Sequence, residues 1–239
     1  DAGHHLLFVT GPASPLAAGA CAAFTVEQKD GFNNQVAGTA TVTLTSDALL
    51  ADGGSGVFFA GPGGTCSSAS STVSLTPGAP TGTFNFHPEK AGNVVVTANS
   101  GTLVPATANF VVQPGAATVL AWQQLPSGNV ERFTCADAGV AEARDQYGNV
   151  TTVGPGATVT WSSGGNLAAS FFTDSNCTLG ATSAAILGNG SATTPMFFKA
   201  SGSLGTVTAT ATSAGSSLNG AATPAQTVSV FGTLGQLAM

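Results

Sequence analysis

Small or apolar residues alternate with threonine in several segments of the chain, at a period of two residues. The clearest segment is 39–45, Thr-Ala-Thr-Val-Thr-Leu-Thr. Shorter segments of the same kind lie at 83–86, 94–98 and 206–210. Because an extended chain points successive side chains to opposite faces, each segment predicts a β-strand with one buried face.

Turn residues separate these segments from one another. Clusters of Gly, Pro, Asn and Ser lie at 61–64, 77–78, 154–156 and 188–190. Such clusters between short apolar runs are typical of turns between strands. No segment shows a sustained helical period with capping residues. The pattern therefore predicts an all-β fold with about seven short strands in each 100 residues, as in a β-sandwich.

The same pattern occurs twice along the chain. Phe8 precedes Cys21 by 13 positions, and Trp122 precedes Cys135 by the same number. Further matches follow in the same order, 30–34 with 145–149, 40–44 with 157–161, and 96–98 with 207–209. A period this long indicates repeated domains rather than a solenoid of short repeats. The sequence predicts two tandem domains, 1–114 and 115–239, joined by a short Gln-Pro-Gly segment.

Charged residues are scarce in this chain. Asp, Glu, Lys and Arg make up 7% of it and give a net charge of −6, whereas a typical soluble protein has about 25% charged residues. The five Lys and Arg residues are scattered singly, but phosphate binding needs them clustered. Nucleic acid is therefore excluded as a partner. No apolar stretch is long enough to span a bilayer, so no membrane insertion is expected.

Residues suited to catalysis are also few. The chain has three histidines, one tyrosine and eleven carboxylates spread along its length. General acid–base catalysis needs such groups held close together, and no Gly-x-Ser-x-Gly motif or convincing catalytic triad is present. The sequence predicts a protein that is not an enzyme and that has no cofactor.

Two similar clusters of Asp and Asn have two possible roles. Asp30 and Asn34 in the first copy correspond to Asp145 and Asn149 in the second. Their oxygen atoms would suit Ca²⁺, but each cluster has a single carboxylate. Asp and Asn also form turns by accepting hydrogen bonds from their own backbone. The turn is the favoured interpretation, and no metal site is predicted.

Three aromatic residues would be needed for a flat sugar-binding surface, namely Trp122, Tyr147 and Trp161. Trp161 lies two positions from Val159 and therefore shares its face of a strand. Trp122 shares a face with Leu120 by the same rule. Both tryptophans are predicted to lie in the core rather than on an exposed surface.

The order of motifs in each copy resembles a known family. An Asp-x-aromatic turn comes first, then an Ala-Thr-Val-Thr strand, a Phe-rich strand and, at 91–98, Ala-Gly-Asn-Val-Val-Val-Thr-Ala. This order resembles the tandem bacterial immunoglobulin-like domains of invasin and intimin, in a disulfide-bearing variant found in long secreted surface proteins. The resemblance implies two immunoglobulin-like β-sandwiches in a secreted, cell-surface adhesin, stalk or fibre.

Four cysteines, one pair in each copy, fit such a variant. The natural pairings are Cys21 with Cys66 and Cys135 with Cys177. The second cysteine of each pair precedes the later strands of its domain. Each disulfide is therefore expected to join an early strand to a loop or short strand at the edge of the sandwich, with a structural role.

The low charge leaves few basic residues to protect the sheet edges. We therefore expect strand addition between subunits. The apolar segments proposed to carry it are Leu6, Leu7, Phe8 and Val9 near the start, and Phe231 and Leu234 near the end.

The favoured function is a non-enzymatic structural or adhesive subunit of a surface fibre that assembles head to tail. Its partners would be further copies of itself, other surface-protein domains, or a receptor on a host or neighbouring cell. Two alternatives stay open. One is a spacer or adhesin segment of a longer surface protein, and the other is a carbohydrate-binding accessory module of a secreted hydrolase.

Overall fold

The computed structural model of the chain describes residues 2–54, 57–61, 65–76, 81–200 and 204–232. The chain divides into two compact units, Asp1–Gly115 (unit 1) and Ala116–Met239 (unit 2). This division lies one residue after the boundary expected from the repeat. No helix within the described residues is long and apolar enough to cross a membrane.

Strands make up nearly all the regular structure of both units. Unit 1 contains β1 (His5–Thr10), β2 (Leu16–Ala17), β3 (Ala22–Lys29), β4 (Ala40–Ser46), β5 (Val57–Ala60), β6 (Thr72–Leu75), β7 (Thr81–His87), β8 (Gly92–Asn99) and β9 (Ala106–Gln113). Unit 2 contains β10 (Val119–Gln124), β11 (Asn129–Glu131), β12 (Cys135–Arg144), β13 (Ala157–Gly165), β14 (Ala169–Phe172), β15 (Ser183–Ile186), β16 (Met196–Ala200), β17 (Gly205–Ala214) and β18 (Gln226–Phe231), with a short 3-10 helix at Ser216–Leu218.

The two units have the same strand connectivity. In unit 1 the sheets have the orders β1-β3-β7-β5 and β2-β9-β8-β4-β6. In unit 2 they have the orders β10-β12-β16-β14 and β11-β18-β17-β13-β15. The first order corresponds to strands A-B-E-D of an immunoglobulin sandwich, and β9-β8-β4 corresponds to G-F-C. The prediction of two tandem immunoglobulin-like sandwiches is confirmed.

The number of strands agrees with the expected density. The structure describes nine strands in each unit, in 115 and 124 residues, against about seven expected in each 100 residues. They include the short strands Leu16–Ala17 and Asn129–Glu131, which pair in parallel with β9 and β18. Strands of two or three residues are too short to show a period-two pattern, so these two could not be recognised from the sequence.

Threonine-rich strands bury their apolar residues as the alternation predicts. In β4 the side chains of Val42 and Leu44 are buried, whereas those of Thr41, Thr43 and Thr45 are exposed. Such a strand has one face in the core and one in solvent.

A phenylalanine cluster fills the space between the two sheets of unit 1. The ring of Phe24 in β3 stacks on that of Phe84 in β7, with centroids 5.2 Å apart. Phe110 in β9, from the other sheet, lies 5.9 Å from Phe24 and 5.8 Å from Phe86. These contacts join the sheets through one core.

The core of unit 2 has a different composition. Trp161 is its largest fully buried side chain, and its Nε1 donates a hydrogen bond to the Ala138 carbonyl at 3.4 Å. Met196 and Phe198 from β16, together with Leu218 from the 3-10 helix, pack in the same cluster. The burial of Trp161 is as predicted from its position beside Val159.

Candidate functional site

Each unit has one disulfide, between the cysteines that the repeat pairs. Cys21 directly precedes β3 and is bonded to Cys66 after β5, with their Cα atoms 5.9 Å apart. Cys135 begins β12 and is bonded to Cys177 after β14, with Cα atoms 5.6 Å apart. In each sheet one strand lies between the two joined segments. The bond therefore holds the loop beyond the edge strand to the start of an inner strand.

All four cysteines of the chain are used in these two bonds. Disulfides form and persist mainly in oxidising compartments such as the extracellular space. Their position, between a loop and the start of an inner strand of the same sheet, is that of a structural bond. The disulfides therefore favour an extracellular location.

The Asp and Asn clusters are turns. Asp30 Oδ1 accepts hydrogen bonds from the backbone N–H groups of Phe32 and Asn34, at 2.8 and 2.9 Å. The Asn34 side chain donates to Asp30 Oδ2 at 3.1 Å. Asp145 and Asn149 repeat this arrangement in unit 2. Both carboxylate oxygens are thus occupied within the turn. Among the described residues, no three His, Cys, Asp or Glu side chains form a group that could hold a metal ion.

Two aspartates in loops, Asp30 and Asp174, are expected to make the stability of the fold decrease in acid. The Asn34 side chain, donating to the Asp30 carboxylate, lowers the pKa of Asp30. The backbone N–H of Leu179 similarly lowers the pKa of Asp174 in the loop that holds Cys177. A carboxylate whose folded pKa is lowered stabilises the fold above its unfolded pKa, and this contribution is lost as the pH falls below about 4. Thermal unfolding across acidic pH should show this decline, and it should be weaker in Asp30→Asn and Asp174→Asn. An unchanged pH dependence in both variants would contradict the assignment.

The three aromatic residues do not form a common exposed surface. Trp161 is buried, as described above. Trp122 was predicted to lie in the core but is only half-buried against it. It donates from Nε1 to the Pro224 carbonyl at 2.8 Å, and its ring covers Gly139. Gly139 lies at a bulge of β12 with a φ of +99°, and a Cβ there would lie 2.6 Å from the Gln124 carbonyl oxygen. Tyr147 is half-buried in its turn. This arrangement does not provide a flat sugar platform.

Several charged groups have structural partners. Lys29 pairs with Glu27 at 2.7 Å along β3. Arg144 pairs with Glu142 at the same place in β12. The Asp47 carboxylate accepts a hydrogen bond from the backbone of Val95 at 2.7 Å. These groups hold strands and their ends in position.

The chain itself covers several sheet edges. The segment 68–70 runs along β5, where Ala60 N donates to Ser68 O at 2.9 Å and Ser70 N donates to Phe58 O at 2.8 Å. The segment 179–181 covers β14 in the same way. The Ser70 hydroxyl also occupies the outward backbone groups of Thr72 in β6. A covered edge is not available to another strand.

Bulges protect two further edges. The register of β1 on β3 shifts between Phe8 and Thr10, and that of β10 on β12 shifts between Trp122 and Gln124. A bulge twists a strand and ends its regular pairing, which discourages addition of another strand. The edges at β1, β5, β10 and β14 are therefore protected by bulges and covering segments rather than by charged side chains.

The residues proposed for strand addition lie in different environments. Leu6 is buried, and the Phe8 ring lies 5.6 Å from that of Phe24, so β1 belongs to the core of its own unit. Only Leu7 and Val9 face outward, each 41% exposed. Donation of β1 to another subunit would empty part of the core of its own unit, and such donation stays a prediction.

At the other end of the chain, Phe231 is the last residue of β18. Its side chain is half-exposed and its carbonyl accepts a hydrogen bond from Arg132 N at 2.8 Å. Leu234 lies outside the described residues. Addition of the terminal segment to another copy therefore stays a prediction.

A groove of about 360 Å³ lies in unit 1 between the start of β4 and the connection from β8 to β9. Its lining includes Gln28, Thr39, Thr41 and the segment 100–103, and it contains no charged side chain. Gln28 is 7% exposed, and its Oε1 has no hydrogen-bond partner. A buried acceptor without a donor is uncommon, because burial removes the hydrogen bond that the group makes to water and no bond within the protein replaces it. The sequence pattern does not predict this groove; its only signal in the sequence is a polar residue, Gln28, at an inward position of β3.

The fold and the disulfides together define a class, a tandem pair of immunoglobulin-like sandwiches with one disulfide in each. No protein-family model matches the chain, and no curated protein matches it.

Solved structures of surface proteins are similar to the chain. Domains 5–6 of the S-layer protein SbsC show 17% identity over 97% of this chain and 99% of that one, with a TM-score of 0.33. The Escherichia coli adhesin FdeC shows 16% identity over 97% of this chain and 64% of that one, with a TM-score of 0.40. Invasin, described as a bacterial integrin-binding protein, shows 16% identity over 95% of this chain and 39% of that one, with a TM-score of 0.38. The resemblance to invasin-type domains is thus found again, but at these TM-scores it assigns no function.

Proposed function

We propose that the chain is a non-enzymatic, extracellular structural or adhesive module of a surface protein, and that its copies assemble head to tail into a fibre. The proposal of an extracellular structural or adhesive module rests on the repeated sandwich, in which each copy has a disulfide at the same place. Such bonds stabilise a domain mainly by restricting its unfolded state. A surface module exposed to proteases and denaturing conditions benefits from this restriction.

The environment of the charged residues supports a structural role. The carboxylates of Asp30, Asp145 and Asp174 are used in turns, and those of Glu27 and Glu142 in ion pairs along strands. Catalysis needs acids and bases that converge on a reacting group. These groups instead accept hydrogen bonds from the backbone of their own turns or form ion pairs along strands.

A spacer segment of a longer surface protein is the second candidate, and the covered edges favour it. Residues 68–70 and 179–181 block two edges on which strand addition would depend. A spacer needs such protection because it must stay separate from its neighbours at high local concentration. The carbohydrate-binding alternative has less support, since Trp161 is buried and Trp122 is bonded to Pro224.

Self-assembly of the non-reduced chain is the measurement that separates the fibre from the spacer. We expect light scattering over a concentration series to show multiples of 23.2 kDa, and negative-stain microscopy to show regular fibres. The chain carries a net charge of −6, so salt that screens repulsion between copies should favour assembly. A species that stays monomeric at all concentrations and salt levels would reject the fibre and leave the spacer.

A further inference from the structure

The groove in unit 1 contains an open position in the hydrogen-bond ladder of β4. Leu44 N donates to Ser71 O, on the side of β6, so the alternating residues Thr43 and Thr41 direct their backbone groups toward β8. The pairing of β4 with β8 ends at Thr43 and Asn99. Within the described part of the chain, no backbone hydrogen bond joins Thr41 to residues 100–103.

Unit 2 fills the corresponding position with its own chain. Thr158, the counterpart of Thr41, pairs with Ala214 at the end of β17. The connection that follows β17 is eleven residues long, whereas the one that follows β8 has six. The longer connection inserts Leu218 into the core, where it is fully buried. The shorter connection leaves Leu103 only half-buried at the groove.

A second difference between the units lies at the same groove. Gln28 in β3 lies opposite Leu6, and its counterpart in unit 2, opposite Leu120, is Ala143. Unit 2 therefore has no polar side chain at this inward position. In unit 1 the Gln28 Oε1 is buried without a donor. An open backbone position and an unused acceptor thus line one uncharged groove, and both are suited to an incoming peptide.

We infer that this groove binds an extended, uncharged peptide segment, and that its occupant is the segment 233–239 of a second copy. That segment, Thr-Leu-Gly-Gln-Leu-Ala-Met, has no charged side chain and provides two leucines. Its backbone would pair with Thr41 as Ala214 pairs with Thr158, and one leucine would take the role that Leu218 has in unit 2. The inference rests on the proposed function in taking a second copy as partner.

The direction of the chain supports this choice of occupant. The groove lies at the end of unit 1 where the chain enters, because Gly3 and the start of β1 are beside Gln28. The segment 233–239 follows β18, whose last residue pairs with Glu131 at the end of unit 2 where the chain leaves. A contact between the segment that leaves one copy and the groove where the chain enters another copy is head to tail, and such a contact can be repeated from copy to copy. Seven extended residues reach up to about 23 Å, which is ample for such an insertion.

The test uses a labelled peptide with the sequence of residues 233–239, added to the full chain and followed by fluorescence anisotropy. We expect saturable binding that is lost when Leu234 and Leu237 of the peptide are replaced by Asp. In the chain, Thr41→Pro removes the open N–H, and Gln28→Met replaces the amide by an apolar group of similar length. Each variant is expected to weaken binding by about tenfold, since each loses one hydrogen bond.

Folding controls accompany both variants. Thr41→Pro should leave the thermal transition of unit 1 in place, because the N–H that it removes has no partner in the free chain. Thr158→Pro removes a paired N–H in unit 2 and should destabilise that unit. Equal peptide binding by the parent chain and Thr41→Pro, or no saturable binding at all, would overturn the inference. Light scattering on the same chains decides separately whether copies associate, so fibre formation through another surface would survive that result.

Discussion

Removal of the disulfide of unit 2, by Cys135→Ala together with Cys177→Ala, is expected to lower the free energy of unfolding of that unit by about 4 kcal/mol. The bond joins residues 42 apart in the sequence, and opening a loop of that length returns much conformational entropy to the unfolded chain. The loss is a large part of the roughly 5–15 kcal/mol that stabilises a typical domain. Both tryptophans of the chain, Trp122 and Trp161, lie in unit 2. Urea unfolding followed by tryptophan fluorescence therefore reports on this unit alone.

The matched control is the same change in unit 1, Cys21→Ala with Cys66→Ala. This variant keeps both tryptophans in an intact, disulfide-bonded unit, so its fluorescence transition should lie closer to that of the parent chain. The loss of stability of unit 1 in this variant should appear in calorimetry, which detects the unfolding of both units. A fall of less than about 1 kcal/mol in the unit 2 variant would show that the folded sandwich does not depend on its staple.

Truncation of Phe24 to alanine is expected to lower the free energy of unfolding of unit 1 by about 3–5 kcal/mol. Phe24 is fully buried and stacks on Phe84 at 5.2 Å. It also contacts Phe86 and, across the two sheets, Phe110. Its removal leaves a cavity at the point where the sheets meet, and surrounding rings on rigid strands fill such a cavity poorly. Calorimetry should show the unit 1 transition at a lower temperature.

Phe32→Ala is the control for the removal of an aromatic ring from the same unit. The Phe32 side chain is 80% exposed at the tip of its turn, so its loss should change stability by no more than about 0.5 kcal/mol. Similar shifts in Phe24→Ala and Phe32→Ala would mean that the phenylalanine cluster does not hold the sheets together. The tryptophan signal of unit 2 serves as an internal reference in both variants.

The sequence was sufficient to predict the features that depend on local periodicity and on the repeat. Alternation at Thr41, Val42 and Thr43 predicted both the strand and the face that it buries. The repeat paired the cysteines correctly, because each copy contains two of them. Asp30 and Asp145 were predicted to form turns, since one carboxylate beside an asparagine suits backbone N–H groups better than a metal ion.

The features that sequence reasoning missed depend on contacts between distant segments. The covering of β5 by residues 68–70 has no local pattern, because those serines resemble any loop. The environment of Gln28 is set by two glycines far from it in the sequence. A Cβ on Gly3 would lie 1.5 Å from Gln28 Nε2, and one on Gly38 would lie 2.7 Å from Oε1. In unit 2, Ala143 is small, and the corresponding neighbours Ala117 and Val153 are larger and buried. A large side chain beside two glycines in unit 1 thus corresponds to a small side chain beside two larger neighbours in unit 2. This difference can be recognised only when the strands are placed in the structure.

Identical connectivity with different cores has a consequence for how the chain reaches its native state. Neighbouring domains with the same topology are prone to exchange strands while they fold, because either copy of a strand can enter either sheet. Here β7 carries Phe84 and Phe86, whereas its counterpart β16 carries Met196 and Phe198. A strand placed in the wrong unit would leave voids or steric overlap in a close-packed core. The different cores are therefore expected to favour pairing of each strand within its own sandwich over exchange of strands between the two units.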